Sequence, residues 1–131
     1  MKEIAVFLIE NDPINRAQLT ISLEGAGFFV YDFVSGERFL GAVKADTKGC
    51  VVLDVRQSRT SELALIKELK KRGLRLPVIV TTDDVLLNVE ASALAAGAVA
   101  FLLKPYRTTE LVRVIQDALA QPDAGDRVSQ R

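Results

Sequence analysis

Short apolar runs alternate along the chain with longer stretches in which apolar residues recur every three or four positions. The runs have the length of β-strands, and the intervening stretches have the period of amphipathic helices. Five such runs predict strands at 4–9, 28–33, 50–54, 78–81 and 99–103. Because a helix follows each strand, the sequence predicts an α/β fold, with a parallel sheet between two layers of helices.

Capping residues mark the ends of the first predicted helix. Asp12 is the predicted N-cap, Pro13 occupies the first helical position, and Gly25 and Gly27 end the helix. Its apolar positions Ile14, Ala17 and Ile21 fall on one face, with Leu19 and Leu23 beside it.

Four further helices complete the predicted pattern. The second begins at Ser35-Gly36 and continues through Val43, and the third carries Leu63, Ile66 and Leu69 inward and ends near Gly73. The fourth begins after Asp83-Asp84 and the fifth near Thr108. The fifth has an amphipathic stripe formed by Leu111, Val114, Ile115, Ala118 and Leu119.

Right-handed crossovers and short loops leave few topologies for five parallel strands, and the flavodoxin-like order 2-1-3-4-5 is the common one. In that order, the residues that end four strands meet at one edge of the sheet. These residues are Glu10, Asn11, Asp12, Asp54, Thr82 and Lys104. Acids, a hydroxyl and an ammonium group together predict a site for Mg²⁺ and a phosphoryl group.

This combination has a defined chemistry. Mg²⁺ needs only one or two carboxylates together with water and phosphate oxygens, which Asp54 and the first-strand acids can provide. A carboxylate can also attack phosphorus and form an aspartyl phosphate, if cations neutralise the phosphoryl oxygens. Lys104 is the predicted cation, and the hydroxyl of Thr82 could bond a phosphoryl oxygen.

Simpler roles remain open for the same residues. Asp12 could cap the first helix instead of binding metal, and Asp54 considered alone could also be a cap. Lys104 could merely neutralise buried acids. Thr82 alone carries little weight, since threonine is common at strand ends.

Composition restricts the function classes. The chain has 131 residues, 49% of them hydrophobic, which predicts one domain over 1–121 and a flexible tail or linker over 122–131. Equal numbers of basic and acidic residues, 17 each, give no reason to expect nucleic-acid binding. The absence of histidine excludes His-dependent triads, His-containing zinc sites and a phosphohistidine carrier.

Two further features concern the cellular compartment. The first apolar stretch ends at Ile9, too short for a signal peptide core or a membrane span. Cys50 is the one cysteine, so no internal disulfide is possible, and it lies in an apolar run where a core role is expected. We expect a cytoplasmic protein without membrane contact.

The order of these residues resembles the receiver domain of two-component response regulators, a CheY-like family. The likeness extends from residue 3 to about 120 and includes Ala96-Gly97-Ala98, Phe101 and the dipeptide Lys104-Pro105. The segment 49–56, Gly-Cys-Val-Val-Leu-Asp-Val-Arg, is most similar to receivers of the FixJ and NarL type.

The resemblance implies a phosphorylation switch. Asp54 would accept a phosphoryl group from a sensor histidine kinase, and the domain would catalyse at most its own phosphorylation and dephosphorylation. Mg²⁺ would be held by Glu10, Asn11, Asp54 and the backbone carbonyl of Arg56, with Asp12 as a further candidate. Thr82 and Phe101 would form the switch pair, and the bond before Pro105 would be cis.

Three departures from the family pattern weaken this expectation. Asn11 stands where a metal-binding aspartate is usual, so magnesium affinity should fall. The loop after Asp54 has Gln57, Ser58 and, in a glycine place, Glu62, which predicts a rebuilt loop or an earlier helix. Asp83-Asp84 stands where a small residue is usual. These acids would disfavour a phosphoryl dianion if they pointed into the pocket, or they could simply cap the fourth helix. A degenerate receiver that works without phosphorylation is therefore the alternative.

The fourth predicted helix is apolar nearly all round, more than one buried face requires. Its apolar residues are Val85, Leu86, Leu87, Val89, Ala91, Ala93, Leu94, Ala95 and Ala96. We predict homodimerisation or effector docking through this helix, the fifth strand and the fifth helix. Tight packing of a small-residue helix on the sheet is the other interpretation.

Other functions of the same fold fit less well. An FMN or nucleotide binder requires a phosphate loop of glycine and hydroxyl residues, whereas the cluster Glu10-Asn11-Asp12 would repel a phosphate in the absence of a metal ion. An aspartate phosphatase usually has a second acid two residues after its nucleophile, and Arg56 occupies that position. A purely structural interaction domain remains the main rival to the switch.

Overall fold

The computed structural model describes residues 4–56, 60–83 and 89–120. Strands and helices alternate over this part of the chain. The strands are β1 (Ala5–Ile9), β2 (Phe29–Phe33), β3 (Cys50–Asp54), β4 (Val78–Thr82) and β5 (Ala100–Leu103). The helices are α1 (Pro13–Gly25), α2 (Gly36–Ala42), α3 (Ala64–Lys71), α4 (Val89–Ala96) and α5 (Thr108–Ala120), with a 3₁₀ turn at Thr60–Leu63 before α3.

All strand pairs are parallel, and the order is β2-β1-β3-β4-β5. The predicted fold class and topology are therefore confirmed. β2 lies on one side of β1, and β3, β4 and β5 follow on the other side. The strand order therefore reverses between β1 and β3, whose carboxyl ends lie side by side. Ligands of open parallel sheets bind at such a switch point.

Two hydrophobic clusters cover the two faces of the sheet. Alternate residues of each strand point to opposite faces, so β3 gives Cys50 and Val52 to one cluster and Val51 and Leu53 to the other. The first cluster packs under α1 and α5, and the second packs under α2, α3 and α4. The molecule therefore has the expected three layers, and Cys50 is a core residue, as predicted.

The apolar face that the sequence indicates for α1 is not the face that packs against the sheet. Ile14 and Ile21 are 67% and 70% exposed, and Ala17 is exposed as well. Leu19 and Leu23 instead pack against the sheet. At about 100° per residue, the two sets lie on opposite sides of the helix, and the sheet contacts the leucine side. An apolar stripe of Ile14, Ala17 and Ile21 is left on the surface, and we call it the α1 stripe.

The amphipathic stripe predicted for α5 is confirmed. Leu111 and Ile115 are fully buried, and the other three members pack against the same cluster. In α4, Val89, Ala93 and Ala96 are buried, whereas Leu94 is 48% exposed. Part of the apolar surface of α4 therefore faces outward.

Several sequence expectations lie outside the described residues. They are Gln57 and Ser58 of the loop after β3, Asp84 and residues 85–87 before α4, and the tail at 122–131. Within the described ranges, no helix is long and apolar enough to cross a membrane.

Candidate functional site

Three charged side chains meet at the carboxyl edge of the sheet. Glu10 follows β1, Asp54 ends β3 and Lys104 follows β5. The Nζ atom of Lys104 lies 2.7 Å from Oδ1 of Asp54 and 3.4 Å from Oε1 of Glu10. Both acids are buried, with Asp54 6% exposed and Glu10 1% exposed. One ammonium group thus bridges two buried carboxylates that come from distant parts of the chain.

Burial and mutual charge shift the pKa values of this cluster. Burial raises the pKa of the Glu10 carboxyl, and the nearby charge of Asp54 raises it further. The hydrogen bond from the backbone N–H of Asp12 and the charge of Lys104 lower this pKa, but by less. Burial alone would lower the pKa of Lys104, but its hydrogen bond with Asp54 and the charges of both acids raise it above the ordinary value. Lys104 therefore carries its positive charge at neutral pH.

An open cavity of about 410 Å³ lies above this cluster. Besides Glu10, Asp54 and Lys104, its lining consists of Asn11, Asp12, Pro13, Asn15, Arg56 and Asp83. Asn15 was not predicted from the sequence, and Asp83 lines the cavity mouth as an exposed side chain. Most of the lining residues are polar or charged, and four of them are acids, which suits a hard cation or a group held through one.

Asp12 is the N-cap of α1, as its sequence position suggested. Its Oδ2 atom accepts a hydrogen bond of 2.8 Å from the backbone N–H of Asn15. Its own backbone N–H donates to Oε2 of Glu10 over 3.0 Å. Both oxygens of Glu10 are therefore engaged within the protein, and the capping role occupies one oxygen of Asp12.

Arg16 was missed in the sequence analysis. Its NH1 atom donates to the backbone carbonyls of Glu10, at 2.8 Å, and Asn11, at 3.3 Å. Its Nε atom lies 3.2 Å from Oδ2 of Asp32 on β2. Arg16 thus ties the loop after β1 to the neighbouring strand. One sequence signal for this role was available. Arg16 lies one helical turn after Asp12, so its side chain lies next to the loop after β1.

Two adjacent threonines at the end of β4 make different contacts. Thr81 is paired in register with Asp54, and its hydroxyl donates to Oδ1 of Asp54 over 3.1 Å. The hydroxyl of Thr82 donates instead to the backbone carbonyl of Val55 over 2.6 Å. Only Thr82 was singled out from the sequence, yet Thr81 is the residue that contacts Asp54. Phe101 is half-buried against the cluster under α2, α3 and α4.

Comparison with known proteins decides the family. The family model described as the response regulator receiver domain matches residues 6–116. The chain belongs to the response regulator receiver family. It is therefore a receiver domain of two-component response regulators, which is consistent with signalling based on phosphorylation.

Individual relatives agree with this assignment. The receiver is 38% identical over 115 residues to the transcriptional regulatory protein TdiR of Thauera aromatica, covering 88% of this chain and 51% of TdiR. It is 36% identical over 120 residues to the transcriptional regulatory protein FixJ of Bradyrhizobium diazoefficiens, covering 90% of this chain and 58% of FixJ. The chain thus spans little more than half of these relatives.

A solved structure has the same fold. The crystal structure of FixJ-N superimposes with a TM-score of 0.79 at 29% sequence identity, covering 90% of this chain and 94% of that one. The receiver described here has a cis peptide bond between Lys104 and Pro105. This bond follows β5 directly, at the residue that supplies the bridging ammonium group.

Glu62 contacts the segment that follows β3. Oε1 of Glu62 accepts a hydrogen bond of 3.2 Å from the backbone N–H of Arg56. Glu62 lies in the 3₁₀ turn Thr60–Leu63, which directly precedes α3. A glutamate in a place where a glycine is usual therefore has a defined role, since it ties the segment after Asp54 to the start of α3.

Proposed function

We propose that this receiver accepts a phosphoryl group on Asp54 from a sensor histidine kinase and passes the signal on through a change of its surface. The observation that carries the proposal is the ion pair of Lys104 and Asp54, 2.7 Å long, at an open cavity lined mostly by polar and charged residues. The reaction joins a carboxylate oxygen of Asp54 to phosphorus while the bond from phosphorus to the donor's nitrogen breaks. Lys104 neutralises charge on the transferred group.

Magnesium fits the donor set of the cavity. The donors are carboxylate, amide and carbonyl oxygens, and Mg²⁺ requires few protein ligands because it keeps several waters. Asp54, the amide oxygen of Asn11 and the backbone carbonyl of Arg56 would hold it. Both oxygens of Glu10 already have partners within the protein, so Glu10 would contribute its negative charge without binding the metal directly. Asp12 uses one oxygen to cap α1, and its other oxygen could bind the metal. When bound, magnesium would neutralise the phosphoryl oxygens.

We propose Thr82 and Phe101 as the switch pair. The hydroxyl of Thr82 donates to the carbonyl of Val55 in the structure described. To reach a phosphoryl group on Asp54, the side chain would have to rotate away from this bond. Phe101 packs against the cluster that includes Val89 and Ala93 of α4. If rotation of the Thr82 side chain allowed the ring of Phe101 to move, the packing of α4 would change.

The kinase has to bring its phosphohistidine to the cavity, so its contact surface must adjoin the rim. The α1 stripe begins next to Pro13, which lines the cavity. We propose this stripe as the kinase contact, because exposed apolar side chains beside a reactive site favour a protein partner. For the output we propose a homodimer or effector contact at α4, β5 and α5. Exposed apolar residues there are Leu94 of α4, Leu103 of β5 and Val99 directly before β5.

A second candidate is a receiver that binds its partners without phosphorylation. Asn11 lacks the charge of the usual metal ligand, and Asp83 adds a negative charge at the mouth of the cavity. Both features disfavour a bound dianion. In this case the same interaction surfaces would act in a single conformation.

One experiment separates the two candidates. The protein is incubated with magnesium and acetyl phosphate, and its intact mass is measured together with those of Asp54→Asn and Asp117→Asn. Asp117 is an exposed aspartate of α5 and controls for the substitution itself. We expect one phosphoryl adduct on the parent and on Asp117→Asn, and none on Asp54→Asn. An unlabelled parent, or equal labelling of Asp54→Asn, would reject phosphoryl acceptance at Asp54.

A further inference from the structure

Thr81 and Asp54 are direct neighbours in the parallel pair formed by β3 and β4. Residues at the same level of adjacent strands point to the same face of a sheet. Cys50, Val52 and Ile79, which precede Asp54 and Thr81 in steps of two, all belong to the cluster under α1 and α5. The sheet therefore turns the hydroxyl of Thr81 toward Asp54, and that of Thr82 toward the opposite face.

The contact between the two side chains is buried. Thr81 is almost fully buried, and its Oγ1 atom lies 3.1 Å from Oδ1 of Asp54. The same Oδ1 atom receives the ammonium group of Lys104 at 2.7 Å. Two donors that approach from different strands restrict rotation of the carboxylate about its Cβ–Cγ bond. Neither of these contacts uses Oδ2.

We infer that Thr81 is a positioning residue for phosphoryl transfer, which holds Oδ1 of Asp54 so that Oδ2 is the attacking oxygen. The inference rests on the proposed function and goes further, because it identifies which oxygen reacts and what orients it. With acetyl phosphate, Oδ2 forms the bond to phosphorus, the bond from phosphorus to the acetyl oxygen breaks, and acetate leaves with the electron pair. Oδ1 becomes the carbonyl oxygen of the acyl phosphate and still accepts from Thr81.

The test compares three variants with the parent. Thr81→Val removes the hydroxyl at nearly constant volume, and Thr81→Ser restores it. Thr20→Val is the matched control, because the hydroxyl of Thr20 in α1 makes no hydrogen bond to the part of the chain that is described. The rate of labelling by acetyl phosphate is measured by intact mass at saturating donor, over a magnesium titration, and melting temperatures verify folding.

We expect Thr81→Val to lower the saturating rate about tenfold, the size expected for one hydrogen bond to a charged group. The magnesium concentration that gives half the rate should stay unchanged, and Thr81→Ser should recover most of the loss. A purely structural role would lower the melting temperature of Thr81→Val without this selective loss of rate.

Two results would overturn the inference while the proposed function stands. One is a labelled parent with Thr81→Val reacting as fast as Thr20→Val. The other is Thr81→Ser as slow as Thr81→Val, because packing would then be the cause. An unlabelled parent would instead reject the proposed function, and the inference with it, so the two failures are distinguishable.

Discussion

The floor and the rim of the cavity differ in how they are built. The floor consists of Glu10, Asp54 and Lys104, which lie at or directly after the ends of three strands and are joined by ion pairs. Thr81, in β4, donates a hydrogen bond to Asp54. The rim consists of Asn11, Asp12, Asn15 and Asp83, which stand on loops and the first turn of α1. Asn11 and Asp83, which depart from the family pattern, lie on the rim. The charged residues of the floor all follow that pattern.

This difference separates two kinds of chemical task. The floor supplies the nucleophile and its cation, and their geometry follows from strand register, which tolerates little change. The rim controls the charge that a metal ion or phosphodonor meets on entry, and single substitutions there alter affinity without disturbing the sheet. A receiver can therefore lose metal affinity at its rim and still retain an intact reaction centre.

Breaking the floor should have the largest effect. Lys104→Met removes the cation that bridges Asp54 and Glu10, and we expect labelling by acetyl phosphate to slow about 100-fold, as for the loss of one preorganised charge. Labelling rates from intact mass provide the measurement. Lys71→Met, at an exposed lysine of α3, is the control. A rate within about twofold of the control would show that Lys104 only neutralises buried acids.

Restoring the rim should have a smaller effect. Asn11→Asp adds a carboxylate at the cavity mouth, and we expect magnesium affinity to rise about tenfold because ligand charge tunes the affinity for hard cations. Calorimetric titration with magnesium gives the dissociation constant. Asn15→Asp adds the same charge elsewhere on the rim and should tighten binding less. Unchanged affinity in Asn11→Asp would mean that residue 11 does not face the metal.

The smallest effect concerns the stability of the floor. Because the pKa of Glu10 is raised in the folded state, its contribution to stability is complete below the ordinary carboxyl pKa and is lost as pH rises through the raised value. Glu10→Gln cannot ionise and should escape this loss. At neutral pH without magnesium, we expect its melting temperature to exceed that of the parent by about a few degrees.

Melting curves across pH, recorded with a chelator present, check this expectation. The difference between Glu10→Gln and the parent should shrink toward acidic pH, where the parent is protonated as well. Parallel curves at all pH values would contradict it, since they would mean that the charge of Glu10 carries no net cost in the folded protein.

The sequence predicted the fold more completely than the site. Strand order and the meeting of Glu10, Asp54 and Lys104 followed from hydrophobic runs and from the common edge of a parallel sheet. The choice between Thr81 and Thr82 did not, because it depends on the register between β3 and β4, which no local pattern encodes. Arg16 was missed for a related reason, since two of its partners are backbone carbonyls and the third, Asp32, lies on another strand of the sheet.

The sequence by itself determined the alternation of strands and helices, the family and the residues at the carboxyl edge, because these follow from local periodicity and chain order. Tertiary structure alone decided which side of α1 faces the sheet and leaves Ile14 and Ile21 exposed. It also decided which hydroxyl reaches Asp54. Both choices depend on the orientation of one element against another, and long-range packing sets that orientation after the elements have formed.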